Sequence, residues 1–146
     1  MQYLFLTSYS WPLFIVRVAL GTIMFAHGAQ MLFGWFGGFG LNGTSGYLKE
    51  ALGIPPVLTA LAALTATFGG LALIVGFLSR LAALGMIVIM GVAIVKEHRG
   101  NGFFINWALT EGKGHGYEMN FALLAMALAV LFGGAGLLSM DLAILY

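Results

Sequence analysis

The sequence predicts an all-α, polytopic membrane protein in which four transmembrane helices form one bundle, with a short interfacial helix in the first loop. Four long apolar runs, at about residues 11–36, 54–78, 81–95 and 119–138, support this fold class. Each approaches the roughly 20 residues with which a helix crosses a hydrocarbon layer about 30 Å thick. Only 8% of the residues are charged, 61% are hydrophobic and the mean hydropathy is +1.01, which is unlike a water-soluble protein.

The first span is expected to begin at Trp11 and Pro12. Proline suits the first turn of a helix, and tryptophan is common at the level of the lipid headgroups. The glycine-rich segment 34–40 is predicted to be a loop, because glycine costs about 1 kcal/mol relative to alanine in a helix. Residues 44–52 then predict a short amphipathic helix that lies flat at the membrane interface and stops at Gly53.

The second span begins after two prolines and carries small residues at every fourth position. They are Thr59, Ala63 and Thr67, together with the pair Ala66 and Gly70. Small residues allow two helix backbones to approach closely, either within one chain or between two copies. The sequence therefore predicts a close helix contact along this face.

The third and fourth spans are less regular. The apolar part of the third, at 81–95, covers only about 22 Å at helical rise, so Arg80 and Lys96 are expected to reach toward the two interfaces. A long polar stretch at 96–118 follows. The fourth span is expected to end in the turn-like glycine segment 133–136.

Composition excludes several classes of function. Four spans and their connections use nearly all of residues 1–146, which leaves one domain and no room for a soluble catalytic domain. The net charge is only +1 and the basic residues are scattered, which argues against nucleic acid as a partner. Because the chain has no cysteine, it forms no disulfide and offers no thiolate for a metal or an iron–sulfur cluster. No haem or flavin site is evident either.

A bundle of four antiparallel spans gathers most of the polar residues at one end. His27 and Gln30 lie one to two turns inside the first span, about 60° apart around the helix. The loop at 96–118 faces them, so these side chains are expected to converge on one pocket. The opposite end is expected to hold a small ion-paired belt with a structural role, made of Arg17, Arg80, Ser139 and Asp141.

His27 and Glu118 are the candidate catalytic residues. An ionisable side chain within a membrane is costly and is a candidate for function, and an imidazole can exchange a proton with a quinone oxygen. Glu118 is predicted to accept protons beside it. The alternatives are structural: His27 joins two helices through a hydrogen bond, and Glu118 is a helix-start carboxylate stabilised by about 0.3–1 kcal/mol.

Six further residues are candidates for binding a quinone head group. Gln30 is expected to fix the His27 ring, and flat aromatic side chains are expected to wall the slot. The alternative is an interfacial aromatic belt, with the histidines of the loop at headgroup level. The six candidates are Gln30, Trp35, His98, Asn101, Phe104 and Trp107. No metal site is predicted, because the histidines and glutamates lack a compact ligand spacing.

Seven groups of residues occur in a specific order along the chain. They are His27-Gly28-Ala29-Gln30; Gly34-Trp35-Phe36-Gly37-Gly38; Phe68-Gly69-Gly70; Gly76-Phe77-Leu78-Ser79-Arg80-Leu81-Ala82; His98 with Asn101-Gly102-Phe103-Phe104; Gly116-Tyr117-Glu118; and Gly134-Ala135-Gly136 with Ser139 and Asp141. In this ordered set the chain resembles the DoxX family of small four-helix membrane proteins over nearly its whole length.

The resemblance implies a four-helix membrane fold and a connection to redox enzymes. Family members include the quinone-reducing membrane subunit of thiosulfate oxidation and partners of redox enzymes. Two positions depart from the family pattern: relatives usually carry a lysine where this chain has Met31 and a glutamate where it has Thr67. The joint change is physically coherent, because an ion pair inside lipid is tolerated only when both members are present.

The expected function is that of a quinone-linked oxidoreductase subunit, or a membrane partner of a redox enzyme, in the plasma membrane. The electrons would come from a soluble or membrane redox enzyme, since the chain has no evident carrier of its own. Two alternatives stay open: a noncatalytic anchor or assembly factor, which the change of the charged pair favours, and a carrier of a small hydrophobic solute. Small-residue helix faces also permit a homo-oligomer.

Overall fold

Seven α-helices make up most of the described part of the protein, and four of them are long. The computed structural model describes residues 2–145. The helices are α1 (Gln2–Phe5), α2 (Trp11–Phe33), α3 (Gly40–Leu52), α4 (Pro56–Val75), α5 (Ser79–Ala93), α6 (Glu118–Gly133) and α7 (Met140–Leu145). No strand occurs between residues 2 and 145. The all-α fold class predicted from the sequence is confirmed.

The long helices α2, α4, α5 and α6 form one antiparallel bundle. α2 packs most extensively against α4 and α5 against α6, while smaller contacts join α4 to α5 and α2 to α6. The helices therefore form a ring in the order α2, α4, α5, α6. The core of the ring includes Leu20, Met24, Leu73, Met86 and Val130, each at most 1% exposed.

The lengths of these helices suit a membrane. α2, α4 and the helical segment Ser79–Asn101 are long and apolar enough to cross one, and α6 is a shorter apolar helix of 16 residues, about 24 Å at helical rise. α2 and α6 end earlier than their apolar runs. Gly34 stops α2 in a left-handed conformation with φ 74°, and Gly134, with φ 85°, follows the last residue of α6.

The third span, by contrast, is longer than its apolar run. Beyond Ala93 the chain continues through a π-helical turn, Ile94–His98, and a 3-10 turn, Arg99–Asn101. The helical segment Ser79–Asn101 has 23 residues, or about 34 Å at α-helical rise. The helix thus continues beyond the apolar part at 81–95, because backbone hydrogen bonding does not stop where hydropathy falls at Lys96.

The close contact predicted from small residues forms between α2 and α4, within one chain. Thr59, Ala63 and Thr67 are each at most 1% exposed. A Cβ atom at Gly28 would overlap the backbone of Thr67, and one at Gly70 would lie 2.8 Å from the Cα atom of Phe25. Only glycine therefore permits the observed separation of the two backbones.

The short helix predicted in the first loop is α3, and it begins four residues earlier than expected. Gly53 ends it in a left-handed conformation with φ 67°, where its N–H donates to the carbonyls of Leu48 and Lys49. The glycine-rich segment before it forms a single 3-10 turn, Trp35–Gly37. α3 packs against the ends of α2 and α4.

Arg17 is fully buried at the opposite end of the bundle and is surrounded by carbonyl groups. Its Nε donates to one carbonyl at 2.8 Å, and its two Nη atoms donate to four others. The five acceptors are the carbonyls of Leu73, Ile74, Ala135, Leu137 and Leu138. Arg17 thus holds the end of α4 and the segment after α6 together, since a helix end leaves carbonyls without partners in the helix.

The expected ion-paired belt is wrong in its pairing. Within residues 2–145 neither Arg17 nor Arg80 lies within 4 Å of a carboxylate. Arg80 donates to the carbonyls of Leu6, Leu131 and Phe132 at 2.8–3.0 Å. Both guanidinium groups therefore bind backbone carbonyls.

Asp141, which is 1% exposed, binds backbone N–H groups at the start of α5. Its two carboxylate oxygens accept from the N–H groups of Leu78, at 2.7 Å, and Ser79, at 2.9 Å. The carboxylate thereby satisfies donors that a helix start leaves without partners, and its charge is favourable there. Asp141 is a cap for α5.

Asp141→Ala is expected to lower the free energy of unfolding by about 2 kcal/mol, because two N–H groups lose a buried, charged acceptor. SDS titration of the purified protein, followed by far-UV circular dichroism, measures this change. Glu111→Ala is the matched control, because Glu111 is exposed on the loop, and it is expected to unfold like the wild type. An Asp141→Ala curve that coincides with the control would contradict the capping role.

Candidate functional site

A large cavity lies at the end of the bundle where α2 ends, α4 begins, the extended α5 ends and α6 begins. Its volume is about 1330 Å³, and it is lined by all four long helices, by α3 and by the loop that precedes α6. The topology predicted that these helix ends converge, and the polar end of the cavity lies between them.

The floor of the cavity is the bundle core, and one side is open. Met24 and Met90 are buried core residues that also line it. Leu61 on α4 and Val88 on α5 line it as well, although they are 59% and 58% exposed. The cavity thus opens between α4 and α5, on the exposed apolar face of these two helices, which suits contact with lipid.

His27 lies in the wall of this cavity, between one and two turns from the end of α2. Met24, three residues before it, and Met31, four residues after it, line the same wall, because these spacings place side chains on one helix face. The His27 side chain is exposed and has no hydrogen bond to another side chain or carbonyl of residues 2–145. Its ring nitrogens are therefore available to a ligand.

Two more histidines, His98 and His115, are in contact at the polar end of the cavity. His98 Nδ1 lies 3.0 Å from the carbonyl oxygen of His115, and its Nε2 lies 3.7 Å from Glu97 Oε2. All three residues line the cavity. Nδ1 donates to the carbonyl, and Nε2 faces the Glu97 carboxylate.

Asn120, which sequence reasoning missed, also lines the cavity. Its Nδ2 lies 3.7 Å from the sulfur of Met90, which is a weak acceptor, so the amide has only this partner within residues 2–145. A polar side chain two residues into an apolar helix could have identified Asn120 as a candidate. Glu118, in the same helix turn, drew the prediction instead because it is charged.

Glu118 lies at the same end of the molecule as His27 but does not line the cavity. Its Oε2 accepts from the N–H of Ile105, at 3.1 Å, and Ile105 does line the cavity. Asn101 is placed similarly: its Nδ2 donates at 3.1 Å to the carbonyl of His115. Both side chains thus hold backbone that forms the cavity wall.

The other candidates lie around the cavity and do not line it. Gln30 Nε2 donates to the carbonyl of Phe36 at 3.2 Å, so it holds the turn after α2 and does not bind His27. Trp35, Phe104 and Trp107 are 52%, 73% and 79% exposed. These three rings form an exposed rim at the polar end.

The two positions that depart from the family pattern lie close together in this structure. Met31 lines the cavity, and Thr67 packs against Gly28, one turn before it on α2. The Thr67 hydroxyl donates to the carbonyl of Ala63 at 2.7 Å, so it is satisfied within its own helix. Met31 thus gives the α2 wall an uncharged side chain at this position, and Thr67 lies behind that wall, between α2 and α4.

The DoxX family model matches residues 12–99, which is more than half of the chain. This chain belongs to the DoxX family. The matched region contains α2 to α5, and with them His27 and most of the cavity wall of this DoxX protein. No curated protein and no solved structure matches the chain significantly. Together with its apolar helices, the family assignment makes it a multi-pass membrane protein.

Metal chemistry gains no support from the geometry of this DoxX protein. Within the described residues 2–145, no three side chains of histidine, aspartate or glutamate are grouped so that they would hold a metal ion. The polar groups of the cavity are instead separate hydrogen-bonding groups in an apolar wall. Such an arrangement suits an uncharged organic ligand.

Proposed function

We propose that this DoxX protein is the quinone-binding membrane subunit of a redox system in the plasma membrane. One observation carries the proposal: a cavity of about 1330 Å³, mostly apolar, with the unpartnered imidazole of His27 in its wall. Ligand sites are usually apolar clefts with a few polar groups that fix the orientation. A quinone matches this description, since it has a flat apolar ring and two oxygens that accept hydrogen bonds.

His27 and Asn120 are the proposed ligands of the ring oxygens. The imidazole of His27 donates a proton to one oxygen, and the amide of Asn120 donates a hydrogen bond from the wall formed by α6. His98 and Glu97, at the polar end of the cavity, exchange protons between the cavity and water. Glu118 and Asn101 act indirectly, because they hold the backbone of Ile105 and His115.

Reduction of the quinone to a quinol consumes two electrons and two protons. The protons arrive through the histidines, and the electrons come from a carrier in a partner redox enzyme. The exposed rings of Trp35, Phe104 and Trp107 lie at the same end of the bundle, where such a partner would approach. Gln30 supports this rim by holding the turn that carries Trp35.

His27→Ala is expected to weaken quinone binding at least about tenfold, which corresponds to the loss of one hydrogen bond of about 1.4 kcal/mol. The measurement is the amount of decyl-benzoquinone retained by purified protein in nanodiscs, corrected for empty nanodiscs. Thr22→Ala is the matched control, since Thr22 is exposed on the same helix outside the cavity. Glu118→Gln is expected to have a smaller effect than His27→Ala, because it acts through Ile105.

Two results would count against the proposal. Wild-type protein that retains no more quinone than empty nanodiscs would remove the quinone site altogether. Equal retention by His27→Ala and the wild type would remove His27 from it.

A noncatalytic anchor is the second candidate, and the uncharged side chains of Met31 and Thr67 favour it. An anchor needs no proton path, so it does not need the lysine and the glutamate that the resemblance implies at these two positions. If a redox enzyme copurifies with His27→Ala and keeps its full activity, the anchor explains the chain better than the quinone subunit does.

A further inference from the structure

We infer that the ligand of the cavity carries a single long apolar tail, which lies in the groove between α4 and α5, and that it enters sideways from the bilayer. This inference rests on the proposed quinone site and specifies its substrate class. A tailed quinone dissolves in the membrane and reaches the protein from the hydrocarbon layer. A quinone ring without a tail dissolves in water and reaches the cavity from the polar end instead.

The cavity is longer than a quinone ring. Its lining extends along α5 and the π-helical turn, and the part from Gly85 to Lys96 alone covers 11 residue steps, or about 16 Å at helical rise. A volume of about 1330 Å³ also exceeds the range of about 300–1,000 Å³ that is usual for small ligands. An isoprenoid or alkyl tail attached to the ring occupies the remaining length.

The polarity of the cavity changes along this length. Its polar end has His27, His98 and His115, whereas the part along α5 farther from that end has Val88 and Leu84. A ligand with one polar end and one apolar end fits only with its head among the histidines. Its tail then points toward the centre of the bilayer.

The groove is open along its side above a narrow crossing of α4 and α5. A Cβ atom at Gly85 would lie 2.6 Å from Thr65 Cγ2, so at this level the side chain of Thr65 on α4 packs directly on the glycine of α5. Closer to the polar end, Leu58 is 53% exposed on α4 and Val92 is 45% exposed on α5. These two residues flank the opening through which the ligand passes.

A tailed quinone fits this groove better than a phospholipid does. Phosphate recognition favours arginine or several cations, yet Lys96 is the single lysine or arginine among the described lining residues. Glu97 is the next residue, and it also lines the cavity, so the local charge is balanced. An uncharged head group is therefore the chemical class that the polar end accepts.

Photocrosslinking tests the position of the tail. Two decyl-benzoquinones are used in nanodiscs, one with an azide on the ring and one with a diazirine at the end of the tail, and the labelled peptides are identified by mass spectrometry. The ring probe is expected to label the segment around His27 or His98. The tail probe is expected to label α4 from Leu58 onward or α5 up to Val92. An excess of unlabelled decyl-benzoquinone is expected to abolish both labels.

Two variants of exposed residues test access from the side. Val88→Trp narrows the groove and is expected to weaken binding of decyl-benzoquinone at least fivefold, while binding of the tail-free ring, tetramethyl-benzoquinone, stays unchanged. Ile15→Trp is the matched control, because Ile15 is 61% exposed on α2 and does not line the cavity. Both positions are largely exposed, so the added ring does not disturb the core.

The outcomes separate this inference from the proposed function. Ring labelling near His27 with tail labelling outside the groove would overturn the inference and leave the quinone site intact. The inference is likewise overturned if Val88→Trp behaves like Ile15→Trp, or if a phospholipid copurifies in the groove and decyl-benzoquinone does not displace it. A ring probe that labels neither histidine segment would contradict the proposed function itself.

Discussion

Arg17→Leu is expected to lower the free energy of unfolding by at least about 3 kcal/mol. The leucine removes the donors for five buried or partly buried carbonyls, two at the end of α4 and three in the segment after α6. A buried acceptor without a partner costs about 1–3 kcal/mol, and no water replaces the donor inside an apolar bundle. Arg17→Lys is expected to recover part of the loss, because an ammonium group keeps the charge but lacks the planar fork of five N–H donors.

SDS titration with circular dichroism and size-exclusion chromatography in mild detergent measures this difference. Arg99→Leu is the matched control, since Arg99 is an exposed arginine at the other end of the bundle. It is expected to remain within about 0.5 kcal/mol of the wild type. If Arg17→Leu unfolds together with Arg99→Leu, the carbonyl cluster does not stabilise the fold.

Gly28→Val is expected to disrupt the packing of α2 on α4 and to lower the free energy of unfolding by about 3 kcal/mol. The Cβ atom of the valine would overlap the backbone of Thr67 and would lie 2.6 Å from its Oγ1. Backbone cannot rotate away as the end of a flexible side chain does, so the helices must separate. Overpacking of this kind typically costs about 1–3 kcal/mol, and the upper end of that range applies when backbone is the obstacle.

Gly91→Val provides the comparison, because a Cβ atom at Gly91 of α5 has no neighbour within 4 Å. Both variants insert the same side chain into a long apolar helix, so helix propensity changes equally. Gly91→Val is expected to unfold like the wild type in SDS titration and to elute normally from the sizing column. Gly28→Val with the same unfolding curve as Gly91→Val would show that α2 and α4 are not as close as described.

Hydropathy and glycine positions predicted the helices of this protein well. An apolar run of about 20 residues has few stable conformations in lipid other than a helix, since every backbone group needs a partner. Glycine at positions such as Gly34 and Gly53 marked the ends, because a left-handed residue terminates a helix. The continuation of the third helix through the π turn Ile94–His98 was not predicted, because this turn contains polar residues and low hydropathy indicates a loop.

The partners of the charged residues were harder to predict. Opposite charges at one end of the bundle suggested that Arg17 would pair with Asp141. In the structure Arg17 binds carbonyls and Asp141 binds the start of α5, because helix ends expose backbone groups that compete for ionised side chains. Whether an ionised side chain binds a backbone group or an opposite charge depends on the path of the turns at 76–78 and 134–138. Sequence spacing does not specify that path.

The candidate site was predicted in part. The sequence placed His27 and His98 at the same end of the bundle, and both line the cavity. The direction of Glu118 depends on the loop at 102–117, which brings the N–H of Ile105 to the carboxylate. That loop makes its contacts between residues distant in sequence, so helical periodicity carried no information about it.

The surroundings of Arg17 also bear on how the chain enters the membrane. Arg17 belongs to α2, whereas its acceptors belong to later parts of the chain: Leu73 and Ile74 at the end of α4, and three carbonyls beyond α6. Two of the five acceptors are therefore present once α4 has been added to the bundle, and the set is complete only when the segment after Gly134 has joined it.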